Sequence, residues 1–243
     1  MTKPLTAFLL AAGIGTRLRP ITLNTPKCLV EINGKPLLGH WLDKLENMKC
    51  EKTLINTHHL AKQVEEFVDN YDETNMQLKI VHEPELLGTA GSLIHNRNWF
   101  KNSTGILIHA DNATNENLDK FILHHKTRPN FCLLTMLTFN TNRPSQCGIV
   151  ETDRKGVVTG FYEKVNDPPS NRANGAIYLF ENSFLDWLED RGGNIFDFSK
   201  DVLPLLIGRI YTWHTNASFI DIGTPDGLKE AKVKISKNNT IKK

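Results

Sequence analysis

The chain has 243 residues, 40% of them hydrophobic, and its 29 Lys and Arg against 27 Asp and Glu leave a net charge of +2. So small an excess excludes a protein built around nucleic acid or an anionic membrane surface. No apolar run approaches the ~18–20 residues of a membrane-spanning helix, and the length suits one sizeable core.

The four cysteines, Cys28, Cys50, Cys132 and Cys147, are widely spaced and form no C-x-x-C pair. This argues against a disulfide framework or a zinc site and predicts a reducing, cytoplasmic setting. From the N-terminus, the apolar run that begins at Leu5 lacks a basic leader and leads straight into glycines and arginines. It reads as a buried strand, Leu5–Ala11, rather than a signal peptide. Leu37, Leu38, Trp41, Leu42, Leu45 and Met48 then recur at helical spacing, Lys52–Thr57 reads as a strand, and Leu60, Val64, Phe67, Val68 and Tyr71 mark a second helix face. A strand is expected at Gln77–His82, a helix at Thr89–Trp99, a strand at Gly105–His109 and a helix at Glu116–Lys126.

This alternation predicts an α/β fold with a parallel, doubly wound sheet whose ligands bind beyond the carboxyl ends of the strands. Gly13, Asp111 and the segment after Glu83 fall at those ends. The second half is less regular: strands are expected at Asn130–Phe139, Gly148–Thr152, Gly156–Glu163 and Gly175–Phe180. Two short helical stretches follow, then strands at Arg209–Thr215 and Phe219–Ile222. No linker-like composition separates the halves, so one mixed sheet over a single domain, 1–243, is expected. The basic end Lys232–Lys243 reads as a solvated terminus.

The first strand runs into Gly13-Ile14-Gly15-Thr16-Arg17. Two glycines so spaced let backbone amides approach a phosphate. No Gly-Lys-Ser/Thr closes the loop, so it is not a Walker A loop, and Leu18 replaces the third glycine of the dinucleotide fingerprint. Taken alone it could be an ordinary strand-to-loop turn. Arg17 and Lys27 shift the balance, because two fixed cations beside an amide-rich loop suit a polyphosphate. Asp111, just past a strand end, is either a hard ligand for Mg²⁺ or a plain loop or cap aspartate. Asp226 reads as a helix cap. The pairs His58-His59 and His124-His125 lack i, i+4 ligand spacing and read as structural or surface residues.

The stretch Leu10-Ala11-Ala12-Gly13-x-Gly15-Thr16-Arg17-Leu18-x-Pro20-x-Thr22-x-x-x-Pro26-Lys27 resembles the signature of the sugar-1-phosphate nucleotidyltransferases. The resemblance extends along the whole chain and implies a Rossmann-like (GT-A-like) mixed, mainly parallel sheet flanked by helices. It implies that Leu10, Ala12, Gly13, Gly15 and Thr16 cradle a nucleoside triphosphate, and that Arg17 and Lys27 bind its phosphates and stabilise the transition state. Asp111 and Asp221 match the family's magnesium aspartates. Lys164 matches a lysine on the sugar phosphate, Glu163 and Asn174 match sugar contacts, and Gly148 a glycine whose backbone touches the sugar. Three positions depart from the family pattern: Ala110 for glycine, Cys147 for tyrosine and Val165 for proline.

Gly88, Thr89 and Ser92 fall in a segment, Leu87–Ser92, similar to the base-recognition segment of the mannose-1-phosphate guanylyltransferases; Gly88 and Thr89 could equally form a helix start. The implied reaction moves a nucleoside monophosphate from GTP to mannose 1-phosphate or a manno-heptose 1-phosphate, with Mg²⁺ as cofactor and pyrophosphate as by-product. UTP- or dTTP-dependent transfer is the alternative. A non-catalytic nucleotide-sugar-binding regulatory subunit would be expected to lose some charged site residues, and a related glycosyltransferase would be expected to carry an Asp-x-Asp motif where this chain has Asp111-Asn112-Ala113. Ending soon after Asp221, the chain reads as a catalytic core alone; a homo-oligomer stays open.

Overall fold

A computed structural model describes residues 3–72, 74–193 and 195–235. In chain order the elements are β1 (Leu5–Leu10), a hairpin of β2 (Glu31–Ile32) and β3 (Lys35–Pro36), α1 (Leu37–Asn47), β4 (Cys50–Thr57), α2 (Ala61–Asp69), β5 (Gln77–His82) and α3 (Gly88–His95). Then come β6 (Thr104–His109), β7 (Asn112–Thr114), α4 (Asp119–His125), β8 (Leu134–Asn140), β9 (Gly148–Thr152), β10 (Val158–Glu163) and β11 (Arg172–Phe180). The chain closes with α5 (Asn182–Asp190), β12 (Ile210–Thr215), β13 (Phe219–Asp221) and α6 (Pro225–Lys234).

The main sheet runs β10-β9-β11-β6-β1-β4-β5, with β8 pairing β11 and β12 pairing β8. Strands β6, β1, β4 and β5 are parallel neighbours, whereas β11 is antiparallel to β6 and β8. The expected mixed α/β sheet is therefore present. Side-chain alternation along β1 sends Ala7 and Leu9 to one face and Phe8 to the other. The first face packs on α1 through Leu38, Trp41, Leu42 and Leu45, all at most 1% exposed, and each buried leucine contributes about 2 kcal/mol. The second face packs on α3, α5 and the Tyr178–Phe198 aromatic cluster.

The register places Leu10 beside both Asn56 and His109, and Thr57 beside His82, so these strands end along one edge of the sheet. A separate ribbon continues beyond that edge. There β13 pairs antiparallel with β7, setting Asp221 opposite Asn112, while Ile222 N–H donates to Asp111 O at 3.1 Å.

Several sequence expectations need correction. The helix expected at Thr89–Trp99 ends at His95 and resumes as a 3-10 turn, Arg97–Phe100. Asn96 interrupts it, its side chain donating to Ser92 O at 2.9 Å in competition with the helical ladder. The helix expected from Glu116 starts at Asp119, because Glu116 is drawn away by Thr215 and Lys44. The strand expected from Asn130 starts at Leu134. Asp226 does not cap α6; Thr224 does, accepting from Gly227 N–H at 3.1 Å. In the basic end, Lys232 and Lys234 belong to α6, and residues 236–243 lie outside the described residues.

Candidate active site

A cleft of about 380 Å³ opens at the carboxyl edge of the parallel strands. It is lined by the glycine loop, the start of α3, Asp111 and the Phe196-Asp197 segment. The loop's shape is enforced locally. Gly15 has φ +69, and a Cβ there would stand 2.9 Å from Thr22 Cγ2 and 3.2 Å from Lys27 Cβ. Thr22 Oγ1 donates to Gly15 O at 2.7 Å, which draws the next turn of chain under the loop.

That packing buries Lys27, which is 7% exposed. Its Nζ reaches Asp111 Oδ2 at 2.7 Å and Asp221 Oδ1 at 3.4 Å. Burial by itself would lower the Lys27 pKa, but the two carboxylates outweigh it and the net displacement is upward. Burial would likewise raise Asp111, yet Lys27 and then His109 hold its carboxyl below the usual range. Arg17, exposed at the loop's tip, lies 3.5 Å from Asp221 Oδ2. Arg17, Lys27, Asp111 and Asp221 thus form one alternating cluster at the mouth of the cleft. Asp221 belongs there only because β13 pairs with β7.

The cleft floor is a buried polar network that sequence patterning did not reveal. Asn56 Oδ1 accepts from Ala11 N–H at 2.7 Å and Ala12 N–H at 3.3 Å. Its Nδ2 donates to Glu83 Oε1 at 2.9 Å and Ser92 Oγ at 3.3 Å. Ser92 Oγ donates to Glu83 Oε1 at 2.5 Å, and Leu87 N–H donates to Glu83 Oε2 at 3.2 Å. The glycine loop and the start of α3 are therefore tied through one carboxamide and one carboxylate. Asn56 and Glu83 stand at or just past strand ends, the one signal by which they could have been found. His109 also lines the cleft; burial pushes its pKa down, and its Nε2 has no partner among the described residues.

Leu10, Ala12, Gly13, Gly15 and Thr16 all line the cleft, as do Gly88, Thr89 and Ser92. Two of these also do structural work. Ser92 is 1% exposed and supports Glu83, and Thr89 Oγ1 accepts from Phe198 N–H at 2.7 Å.

The expected sugar residues lie outside this lining. Gly148 opens β9 and pairs across to Glu163 of β10. Lys164 has φ +52 and an exposed side chain whose Nζ is 3.4 Å from Glu163 Oε1, an ion pair between chain neighbours at the end of β10. Asn174 donates to Tyr178 Oη at 2.6 Å and accepts from Ala176 N–H at 2.9 Å, so it shapes the irregularity in β11. Cys147 is half-buried, and burial first, then the nearby Asp221 and Glu163 carboxylates, raise its thiol pKa, which leaves little thiolate for nucleophilic chemistry.

The paired histidines diverge. His58 bonds Glu83 O, His59 Thr22 O, His124 Thr212 O and His125 Thr135 Oγ1. Among the described residues no three His, Cys, Asp or Glu side chains gather to hold a metal, and no helix is long and apolar enough to cross a membrane.

Residues 6–238 match the family model described as nucleotidyl transferase. A mannose-1-phosphate guanylyltransferase catalytic subunit beta from Drosophila pseudoobscura pseudoobscura is 31% identical over 224 residues, 90% of this chain and 59% of that protein. A UTP–glucose-1-phosphate uridylyltransferase from Synechocystis is 28% identical, over 90% of this chain and 61% of that protein. The crystal structure of HddC from Yersinia pseudotuberculosis complexed with GMP-PN superposes with a TM-score of 0.79 at 26% identity, over 95% of this chain and 99% of that one. The chain thus spans about three fifths of the length of the curated relatives it matches.

Proposed function

Because the chain belongs to the nucleotidyl transferase family, we propose that it transfers a nucleoside monophosphate from a nucleoside triphosphate to a sugar 1-phosphate, releasing pyrophosphate. The observation that carries this reading is the Arg17–Lys27–Asp111–Asp221 cluster at the mouth of a glycine-loop cleft. In this reading residues 1–243 act as one cytoplasmic catalytic domain, and the two substrates are its partners. GTP with mannose 1-phosphate or a manno-heptose 1-phosphate is the preferred pair. The guanylyltransferase name of the Drosophila relative and the GMP-PN bound by the Yersinia protein support it. UTP or dTTP is the second reading, favoured by the Synechocystis uridylyltransferase.

The nucleophile is a phosphate oxygen of the sugar phosphate, and the α-phosphorus is attacked in line. A phosphate monoester has a second pKa of about 6 and is largely ionised at neutral pH, so no Ser, His or Cys base is required. The barrier is the approach of two anions. Arg17 and Lys27 would hold the β- and γ-phosphates and stabilise charge on the leaving pyrophosphate. Lys164 would hold the sugar phosphate; Glu163, Asn174 and Gly148 would border the sugar. Leu10, Ala12, Gly13, Gly15 and Thr16 would cradle the triphosphate, and Gly88, Thr89 and Ser92 the base.

The family generally depends on a divalent cation. The donors here fit Mg²⁺: two hard carboxylates, Asp111 and Asp221, already converge on one positive charge, the Lys27 ammonium. Bound there, the ion would offset repulsion between the phosphates. The test is pyrophosphate release across a panel of triphosphates and sugar 1-phosphates, with and without EDTA. Release from one pair, abolished by EDTA and by Asp111→Asn, is expected. Silence across the panel with tight nucleotide-sugar binding would overturn catalysis, and full activity in EDTA would remove the metal.

A further inference from the structure

The glycine loop and the start of α3 do not complete the cleft; the Phe196-Asp197 segment supplies another part of its wall. Phe196 is 53% exposed, and Leu86, on the same cleft, is 38% exposed. The exposure of Phe196 does not come from a loosely held backbone. Phe196 O accepts from Ala90 N–H at 2.9 Å, and Phe196 N–H donates to Asp201 Oδ2 at 2.9 Å. Asp197 N–H donates to the same oxygen at 2.7 Å, and Phe198 N–H is held by Thr89 Oγ1. Beneath the ring lies Gly88, whose absent Cβ would stand 2.6 Å from the Phe196 Cγ. The bare glycine seats the phenyl ring, and the pinned backbone presents that ring to the cleft. An uncharged aromatic face in a cleft that also exposes a leucine suits a flat heteroaromatic ring, while the cations lie around Lys27.

We propose that Phe196 holds the nucleobase of the bound triphosphate by packing its ring against the base. This rests on the nucleotide-transfer reading given above. Stacking tolerates any base, so Phe196 would supply affinity rather than base choice.

The test compares wild type, Phe196→Ala and Phe196→Trp by calorimetric titration with GTP, UTP and inorganic tripolyphosphate, alongside thermal melting. Phe196→Ala is expected to weaken GTP and UTP about tenfold, a typical loss for one base–aromatic contact. It should leave tripolyphosphate binding unchanged, and Phe196→Trp should restore nucleotide affinity. The melting temperature should hold, because the anchoring hydrogen bonds are made by the backbone. Equal GTP affinity in wild type and Phe196→Ala overturns the role of Phe196 while the nucleotide reading stands. A parallel loss of tripolyphosphate binding would mean that the change had damaged the cleft, and also overturns it. Wild type binding none of the three ligands would overturn both.

Discussion

Replacing Asn56 with Ala removes the centre of the cleft-floor network. Two backbone donors, Ala11 N–H and Ala12 N–H, lose their acceptor, and Ala12 is 7% exposed. Glu83, 2% exposed, loses one of its donors but keeps Ser92 Oγ and Leu87 N–H. An orphaned buried polar group costs about 1–3 kcal/mol. Cleft water can reach the Ala11 side, so the lower half of that range applies to it, and the whole change is expected to cost about 3–4 kcal/mol. For a chain of this length each kcal/mol lowers Tm by about 2–4 °C, so Asn56→Ala should melt roughly 10 °C below wild type. Asn56→Asp provides the sharper arm. It keeps the acceptor for the loop but sets an anion against the Glu83 carboxylate, where a donor now stands 2.9 Å away. It should be at least as destabilising, and adding Glu83→Gln should recover part of the loss, since a glutamine amide can donate to the new carboxylate. Thermal denaturation of the four proteins is the assay. A fall of less than ~3 °C in Asn56→Ala, or no recovery in the double variant, would refute the claim that this network holds the glycine loop to α3.

Three further expectations are independent of it. Arg17→Ala should lower kcat at least ~100-fold with Tm unchanged, because the side chain is exposed and would act only on transition-state charge; near-normal turnover would remove Arg17 from the phosphate site. Gly88→Ala should destabilise the protein and weaken nucleotide binding together, since φ is +76 and the new Cβ would collide with Phe196 O; a wild-type melting curve would contradict it. The fold should lose stability steadily in acid. Burial lowers the folded-state pKa of His125 below 6.5, and of His124 and His214 likewise. Their contribution is therefore full above about 6.5 and falls as the pH drops further. Glu181 adds a second loss at lower pH: burial would raise it, but His125, Lys3 and Thr104 bring it down to about 2. Its contribution is present above its unfolded pKa of about 4.5 and lost as pH falls toward 2. Denaturation midpoints measured from pH 8 to 3 should decline; a flat profile from 7 to 5 would refute the histidine part.

What local spacing encodes was legible without coordinates. The strand Leu5–Leu10, the helix from Leu37 and the strand Gln77–His82 follow from apolar periodicity, because each repeat is set within one element. The glycine loop and its cations could be recognised as a unit because Gly13, Gly15, Arg17 and Lys27 are close in sequence. Element ends were less legible: Asn96 and Glu116 alter helix bounds through competing hydrogen bonds that no propensity encodes.

The site itself was decided by pairings between distant segments. Lys27 meets Asp111 across 84 positions and Asp221 across 194, and β7–β13 register brings the second aspartate beside the first. Asn56 and Glu83 have no motif, since a carboxamide and a carboxylate become a network only when parallel strands end side by side with α3 above them. Phe196 could not be read at all: its ring lies on Gly88 through backbone hydrogen bonds to α3, which one-dimensional patterning does not record. The sequence by itself determined the α/β class and the glycine loop with its two cations, because both depend on neighbours along the chain. Only the tertiary structure decided which charges converge and what walls the cleft, because those depend on strand register and on the close approach of remote backbone segments.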